Sequence, residues 1–303
     1  MTHPNDTDHD DTRTAPAPRG PIGRLFLDPE RRPRSGFRLT VYLVIVLAAM
    51  AAADAAGAFS PAADLAARAA AAAAVIAVTW LFRRYVDRRP WPSIGLTGWR
   101  PRELAAGFAV GSVSLLTVFA AAAAGWARVA GSETADRGVT AAAGLVAAGL
   151  FMFAMSALIQ EVAFRGYALR TLADTRSLRS AAVVSSLLFA ALHLPGVPSL
   201  AFGVVLVVEV ALMAGYFVLT RLSTGALWTA IGFHTAWNWW MDSVLSLDTD
   251  AGADFGDSLV HVELDVPGLG LGSGGGIELL YLLNSAALFF GYRYLVHRRG
   301  MNR

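Results

Sequence analysis

The chain contains no cysteine and no lysine. Without cysteine there is no disulfide, no thiolate metal ligand and no cysteine nucleophile, which excludes one whole class of hydrolase. All 25 basic residues are therefore arginine, set against 23 acidic ones for a formal net charge of +2. That balance is too small to point to a polyanion, and no nucleic-acid partner is expected. Charge of either sign is scarce, at 16% of 303 residues, where a soluble domain carries about 25%. Three catalytic signatures are also missing. No His-Glu-x-x-His motif for a helical zinc site occurs, no Gly-x-Gly-Asp of an intramembrane aspartyl site, and no Gly-x-Ser-x-Gly nucleophile elbow.

Apolar sequence takes the place of the missing charge. Hydrophobic residues make up 55% of the chain, and the mean hydropathy is +0.49. They fall into runs at about 39–59, 65–82, 104–127, 139–163, 180–194, 200–219, 225–247 and 277–296. A helix needs about 20 apolar residues to span a bilayer, so the run at 180–194 is short and needs neighbours around it. The expectation is an all-α, polytopic membrane bundle of about eight transmembrane helices over 37–303, preceded by a disordered, Pro-, Asp- and Arg-rich tail over 1–36. That tail has no short apolar core followed by a small-residue cleavage site, so the first span reads as uncleaved.

The arginines alternate. They crowd the tail, the second-to-third connection (Arg83, Arg84, Arg88, Arg89, Arg100, Arg102), the fourth-to-fifth (Arg170, Arg176, Arg179) and the C-terminus (Arg293, Arg298, Arg299, Arg303). The 248–276 connection instead carries Asp248, Asp250, Asp254, Asp257, Glu263 and Asp265 with no basic residue. Under the positive-inside rule this predicts a multi-pass protein of the cell membrane with both termini in the cytoplasm. The Gly-rich stretch 268–276 reads as a flexible part of that outer connection, not a phosphate loop.

Ionisable and amide groups inside apolar spans are costly and mark function by default. Few occur here: Glu161 and Glu209, His193 and His234, and Asn238 with Asn284. The spacing of several is four residues: Glu161 to Arg165, Phe189 to His193, and His234 to Asn238. Residues four apart share a helix face. Measured from the cytoplasmic ends of their runs, Glu161, His193 and His234 lie about 14, 21 and 14 Å inward at 1.5 Å per residue. Three helices thus offer polar groups to one cluster in the inner half of the bilayer. Such a cluster holds the parts for hydrolysis. A carboxylate or imidazole can activate water, and an imidazole or amide can hold an oxyanion. His193 and His234 could equally begin a zinc site, completed by a carboxylate or Asn. Read structurally, the same residues are interhelical hydrogen bonds and an i,i+4 ion pair.

The three stripes resemble the motifs of the CPBP family of intramembrane proteases, which includes the type II CAAX prenyl proteases and the bacterial Abi proteins. The family's Glu-Glu-x-x-x-Arg, usually followed by Gly, is similar to Gln160-Glu161-Val162-Ala163-Phe164-Arg165-Gly166. Its Phe-x-x-x-His corresponds to Phe189–His193, and its His-x-x-x-Asn to His234–Asn238. The motifs span 160–238, inside a protease-like core of about 104–296. The resemblance implies a catalytic set of Glu161, Arg165, His193, His234 and Asn238. It also implies a divalent metal, zinc in the first instance, on His193 and His234. Substrates would be membrane-embedded or lipidated peptides or proteins.

The chain departs from the family at the first motif position, where the water-activating Glu is Gln160. A neutral amide is no base, so either Glu161 or Glu209 takes that role, or the protein is an inactive pseudoprotease or membrane scaffold. A proton-coupled transporter using Glu161, Glu209 and the histidines is a further alternative. It would call for internal repeats, and spans 1–4 hold no counterpart of the polar stripes.

Overall fold

In a computed structural model of the protein, residues 27, 28, 30, 32–131, 138–245, 247, 248, 259–264 and 275–301 are described. Among them eight helices follow the eight apolar runs: α1 (Ser35–Gly57), α2 (Pro61–Val86), α3 (Pro101–Trp126), α4 (Gly138–Ala173), α5 (Leu178–Ala191), α6 (Leu200–Thr224), α7 (Trp228–Asn238) and α8 (Gly275–Met301). Six of these, α1 to α4, α6 and α8, are long and apolar enough to cross a membrane. The protein is an all-α, multi-pass membrane bundle. The 14 residues of α5 reach only about 21 Å, so α5 crosses part of the bilayer, packed against α6.

Local chemistry sets the helix ends. The side chains of Ser60, Ser177 and Ser199 accept the backbone N–H three residues on, capping α2, α5 and α6, and Pro61 opens α2 where its missing N–H costs nothing. At the other end of α6, Gly225 stops the helix with φ of 75°, a left-handed turn that suits glycine. Three helices change pitch within their length. A π-helical turn occupies Phe82–Val86 in α2 and Val162–Ala168 in α4, and another, Trp239–Val244, continues α7. Such turns widen the backbone ring by one residue and are common at functional sites.

One end of the bundle is tied together by charge. The Asp87 carboxylate, wholly buried, accepts hydrogen bonds from Arg38, from Arg83 at 3.0 Å and from Thr171 at 3.2 Å, while Arg32 bonds its main-chain oxygen at 3.0 Å. Arg83 also reaches Asp174 at 2.8 Å. These contacts join the segment before α1 to the α2–α3 and α4–α5 connections. The α6–α7 connection lies at the same end, because Leu227 N–H donates to Gly95 O at 3.0 Å and Arg221 donates to the carbonyls of Ser93 and Ile94. So does the end of α8, through Tyr292 and Ser223 at 2.6 Å.

The opposite end carries three short strands: β1 (Ala127–Gly131), β2 (Leu247–Asp248) and β3 (His261–Leu264), in the order β1-β3-β2. Pairing Ala127 with Leu264 and Leu247 with Val262 holds the α3–α4 and α7–α8 connections side by side. No strand was expected from the apolar pattern. The 248–276 connection takes up strand pairing in part of its described stretch, and most of the Gly-rich 268–276, expected to be flexible, lies outside the described residues.

The expected tail over 1–36 ends earlier than the charge pattern suggests. Leu27 bridges Pro33, and Asp28, 6% exposed, receives the Arg32 backbone N–H and guanidinium at 2.9 Å each. Burial by itself pushes the Asp28 carboxyl up, but those hydrogen bonds and the charges of Arg32 and Arg38 bring it below its ordinary value. A depressed carboxylate stabilises the fold near neutral pH and ceases to do so as pH falls through the lowered pKa. Residues 1–26 lie outside the described residues.

α3 and α7 cross closely because glycines face them. A Cβ on Gly107 would meet Thr229 O at 2.1 Å, one on Gly111 would meet Phe233 O at 2.6 Å, and one on Gly232 would meet Leu104 O at 2.1 Å. The Gly107-x-x-x-Gly111 spacing puts both glycines on one face, the arrangement that lets membrane helices approach backbone to backbone. The contact holds α7, and with it His234 and Asn238, at a set height and rotation.

Candidate active site

Within the bundle is a cavity of about 440 Å³, lined by α1, α2, α4, α5 with the turn after it, α6, α7 and α8. Its polar lining includes Gln160, His193, Glu209, His234 and Asn238, among aromatic and aliphatic side chains such as Phe189, Phe217 and Trp237. Of the residues singled out by sequence, these reach the cavity. Glu161 and Arg165 do not line it. Glu161 is wholly buried and Arg165 1% exposed.

The reason is helical geometry at the first motif. Consecutive residues turn by about 100°, so with Gln160 facing the cavity, Glu161 faces the helix packing behind it. There its Oε1 accepts the Nδ1–H of His234 at 2.9 Å and lies 3.1 Å from the Arg165 guanidinium. The π-helical turn at Val162–Ala168 begins directly after Glu161, and in it Arg165 is offset from the regular helical position. The guanidinium of Arg165 stands over Phe189 at 4.1 Å and over Phe217 at 4.9 Å from the ring centroids. Two ring faces thus hold the cation where water is scarce. The second motif residue Phe189 and the α6 residue Phe217 therefore serve the ion pair, and sequence spacing did not single out Phe217.

Both histidines are held by their Nδ1 atoms. His193 lies in the turn past α5, not on a helix, and its Nδ1 is 3.1 Å from Phe189 O. A carbonyl can only accept, so Nδ1 carries the proton and Nε2 keeps the lone pair of the neutral ring. His234, 6% exposed, donates Nδ1–H to Glu161, so that in its neutral form Nε2 carries the lone pair. The Phe189 ring meets both, with centroids 5.0 Å from His193 and 5.9 Å from His234 in edge-to-face packing, and Phe217 stacks on His234 at 5.7 Å. One aromatic ring joins the second and third motifs.

Glu209 on α6 accepts from Ser285 on α8 at 2.8 Å. The cavity extends from the level of the histidines toward the strand-bearing end, where Asp54, Arg68, Asp242 and Glu278 line it. Sequence reasoning had put the polar groups in the half nearer the termini and did not include Glu278 or Tyr281. The spacing of Glu278, Tyr281 and Ser285, at i, i+3 and i+7, is the signal that would have found them, since it marks one face of α8.

A catalytic zinc takes three protein ligands and leaves a fourth position open. His193 and His234 supply two, and the carboxylate next to His234 is bound to its rear nitrogen. No group of three or more His, Asp or Glu side chains suited to a metal occurs among the described residues. Asn238, in the same cavity, is the further donor that the sequence offers to the two histidines.

Residues 142–240 match the family model described as type II CAAX prenyl endopeptidase Rce1-like. The segment takes in all three motifs, from Gln160 to Asn238, and agrees with the resemblance those motifs carry. The model is of a protease family, so at that level the segment is protease-like. No curated protein and no solved structure matches the chain.

Proposed function

With an Rce1-like segment folded around a cavity in a membrane bundle, we propose that the protein is an intramembrane endopeptidase that hydrolyses membrane-embedded or lipidated peptides or proteins. The observation that carries the reading is the Glu161–His234 hydrogen bond, which presents a carboxylate-held imidazole to a cavity shared with His193, Gln160 and Asn238. His234 Nε2 takes a proton from a water molecule as its oxygen attacks the scissile carbonyl carbon. His193 Nε2, able only to accept, holds the water's other hydrogen. The amide N–H groups of Asn238 and Gln160 donate to the oxyanion of the tetrahedral intermediate. The imidazolium of His234, stabilised by Glu161, then returns its proton to the leaving amine nitrogen. In this scheme Glu161 orients and stabilises, and Gln160 is a donor and not a failed base.

A second reading rests on the same Gln160. Where the family's first motif carries a carboxylate, this cavity carries an amide, which suits a protein that binds peptides without cutting them. Reconstituted protein with a quenched-fluorescence membrane peptide separates the two. The wild type is expected to cleave, with a rate unaffected by chelator, and Gln160→Glu to cleave no more than a few-fold differently. Hydrolysis by Gln160→Glu alone would establish the non-catalytic reading and overturn the mechanism.

The reading includes a place and an orientation: the cell membrane, with both termini in the cytoplasm and the strand-bearing end outside. It follows from the alternating arginines. Because the chain has no native Cys, a single Ser273→Cys reports cleanly. Labelling by an impermeant maleimide on intact cells is the expected result. Labelling only after permeabilisation would reverse the orientation.

A further inference from the structure

The mechanism leaves unused an acidic wall on the far side of the cavity. Glu278 and Tyr281 on α8 and Glu209 on α6 all line it, each no more than 7% exposed. Glu209 is anchored by Ser285, two helical turns past Glu278 on α8, so the two carboxylates are staggered by about 10 Å along the helix axis, with Tyr281 between. Glu278 Oε2 and the Tyr281 hydroxyl have no hydrogen-bond partner among the described residues. A buried carboxylate oxygen without a partner costs free energy that a ligand donor would recover. The lining as a whole carries four carboxylates (Asp54, Glu209, Asp242 and Glu278) and one guanidinium, Arg68. Arg68 is itself occupied by Asp54 at 3.1 Å and Asp64 at 2.9 Å. The unpartnered Glu278 oxygen therefore favours a hydrogen-bond donor, and a cationic one most of all. The carboxylates are not grouped to hold a metal ion, and Met152, Met213 and Trp237 around them suit a long apolar stem with a charged tip.

We propose that this wall is the subsite for a lysine or arginine side chain of the peptide that occupies the cavity, with Glu278 as its counter-ion and Glu209 as a deeper charge of the same sign. The proposal rests on the peptidase reading only in taking the occupant to be a peptide. It adds substrate selection: a basic residue next to apolar ones, entering from the strand-bearing end.

The test uses the full-length protein in phosphatidylcholine nanodiscs and fluorescent peptides that differ at one position, lysine against norleucine. Anisotropy measures Kd, and cleavage is followed in parallel. A charge-assisted hydrogen bond to a buried carboxylate predicts a norleucine-to-lysine Kd ratio of roughly 10 to 100 at the preferred position. The ratio should fall toward one in Glu278→Gln and in Glu209→Gln/Glu278→Gln. A wild-type ratio of one at every position scanned, or a ratio that survives the double substitution, overturns the subsite. If a variant does not fold, the wild-type ratio decides the matter alone. A lysine preference in binding without cleavage of any peptide supports the subsite and removes the peptidase. Cleavage that ignores lysine does the reverse.

Discussion

His234→Ala is expected to lower kcat by about 10²–10⁴, the range for loss of a general base, with little change in KM and with folded yield near that of wild type. The expectation follows from the hydrogen bond that His234 makes to Glu161 and from its place at the cavity wall. Glu161→Gln should act differently. Glutamine oxygen still accepts the His234 Nδ1–H, but Arg165 loses the carboxylate that it pairs with in a site where it is 1% exposed. Breaking a buried pair from one side costs about 3–5 kcal/mol, so this variant should lose thermal stability as well as rate. Adding Arg165→Met removes the uncompensated charge and should recover most of the stability. If the double variant also recovers the wild-type rate, Glu161 is structural only and the carboxylate–imidazole mechanism is wrong. If the rate stays low while the fold returns, Glu161 is a positioning residue.

The second large effect lies far from the cavity. Asp87→Asn should destabilise the protein by about 3–5 kcal/mol, read as a lowered Tm in detergent and a loss of folded yield. Asp87 is 0% exposed and gathers Arg38 and Arg83 from two different elements, with Thr171 and Tyr167 from a third. Removing its charge leaves the wholly buried Arg38 guanidinium with only a long 3.9 Å contact to Asp28, and Arg83 with Asp174 alone. Asp54→Asn provides the contrast. Its partner Arg68 retains Asp64, and the Asp54 side chain is 60% exposed, so a change of about 0–1 kcal/mol is expected. Equal effects from the two substitutions would show that the Asp87 network does not hold the near end of the bundle.

How far each of these residues was legible from sequence follows from membrane physics. The eight helices could be read from the runs because hydrocarbon leaves backbone groups no partner but the helix itself. Apolar length thus maps directly onto structure, and α1, α3, α6 and α8 begin within about four residues of the runs that announce them. The polar stripes were legible for the same reason: in so apolar a chain, Glu161, His193, His234 and Asn238 stand out, and a spacing of four puts residues on one face.

What periodicity could not decide is which way a face turns. A soluble helix shows its inner side by contrast with a wet outer one, whereas a membrane helix is apolar toward lipid and core alike. Gln160 and Glu161 are neighbours in sequence, and only the packing of α4 against its neighbours sends the amide to the cavity and the carboxylate to the back of His234. The glycine faces of Gly107, Gly111 and Gly232 set the rotation of α7 by backbone contact, information that a list of small residues does not contain. The Asp87 network joins residues 49, 80 and 84 positions away along the chain. Glu278, which in sequence is an acid at the edge of a span, becomes part of a cavity wall because α8 runs alongside α6. Apolar length and four-residue spacing therefore determined the bundle and the identity of its polar residues. Helix rotation and the pairing of distant charges, which depend on side chains meeting across elements, were decided only by the tertiary structure.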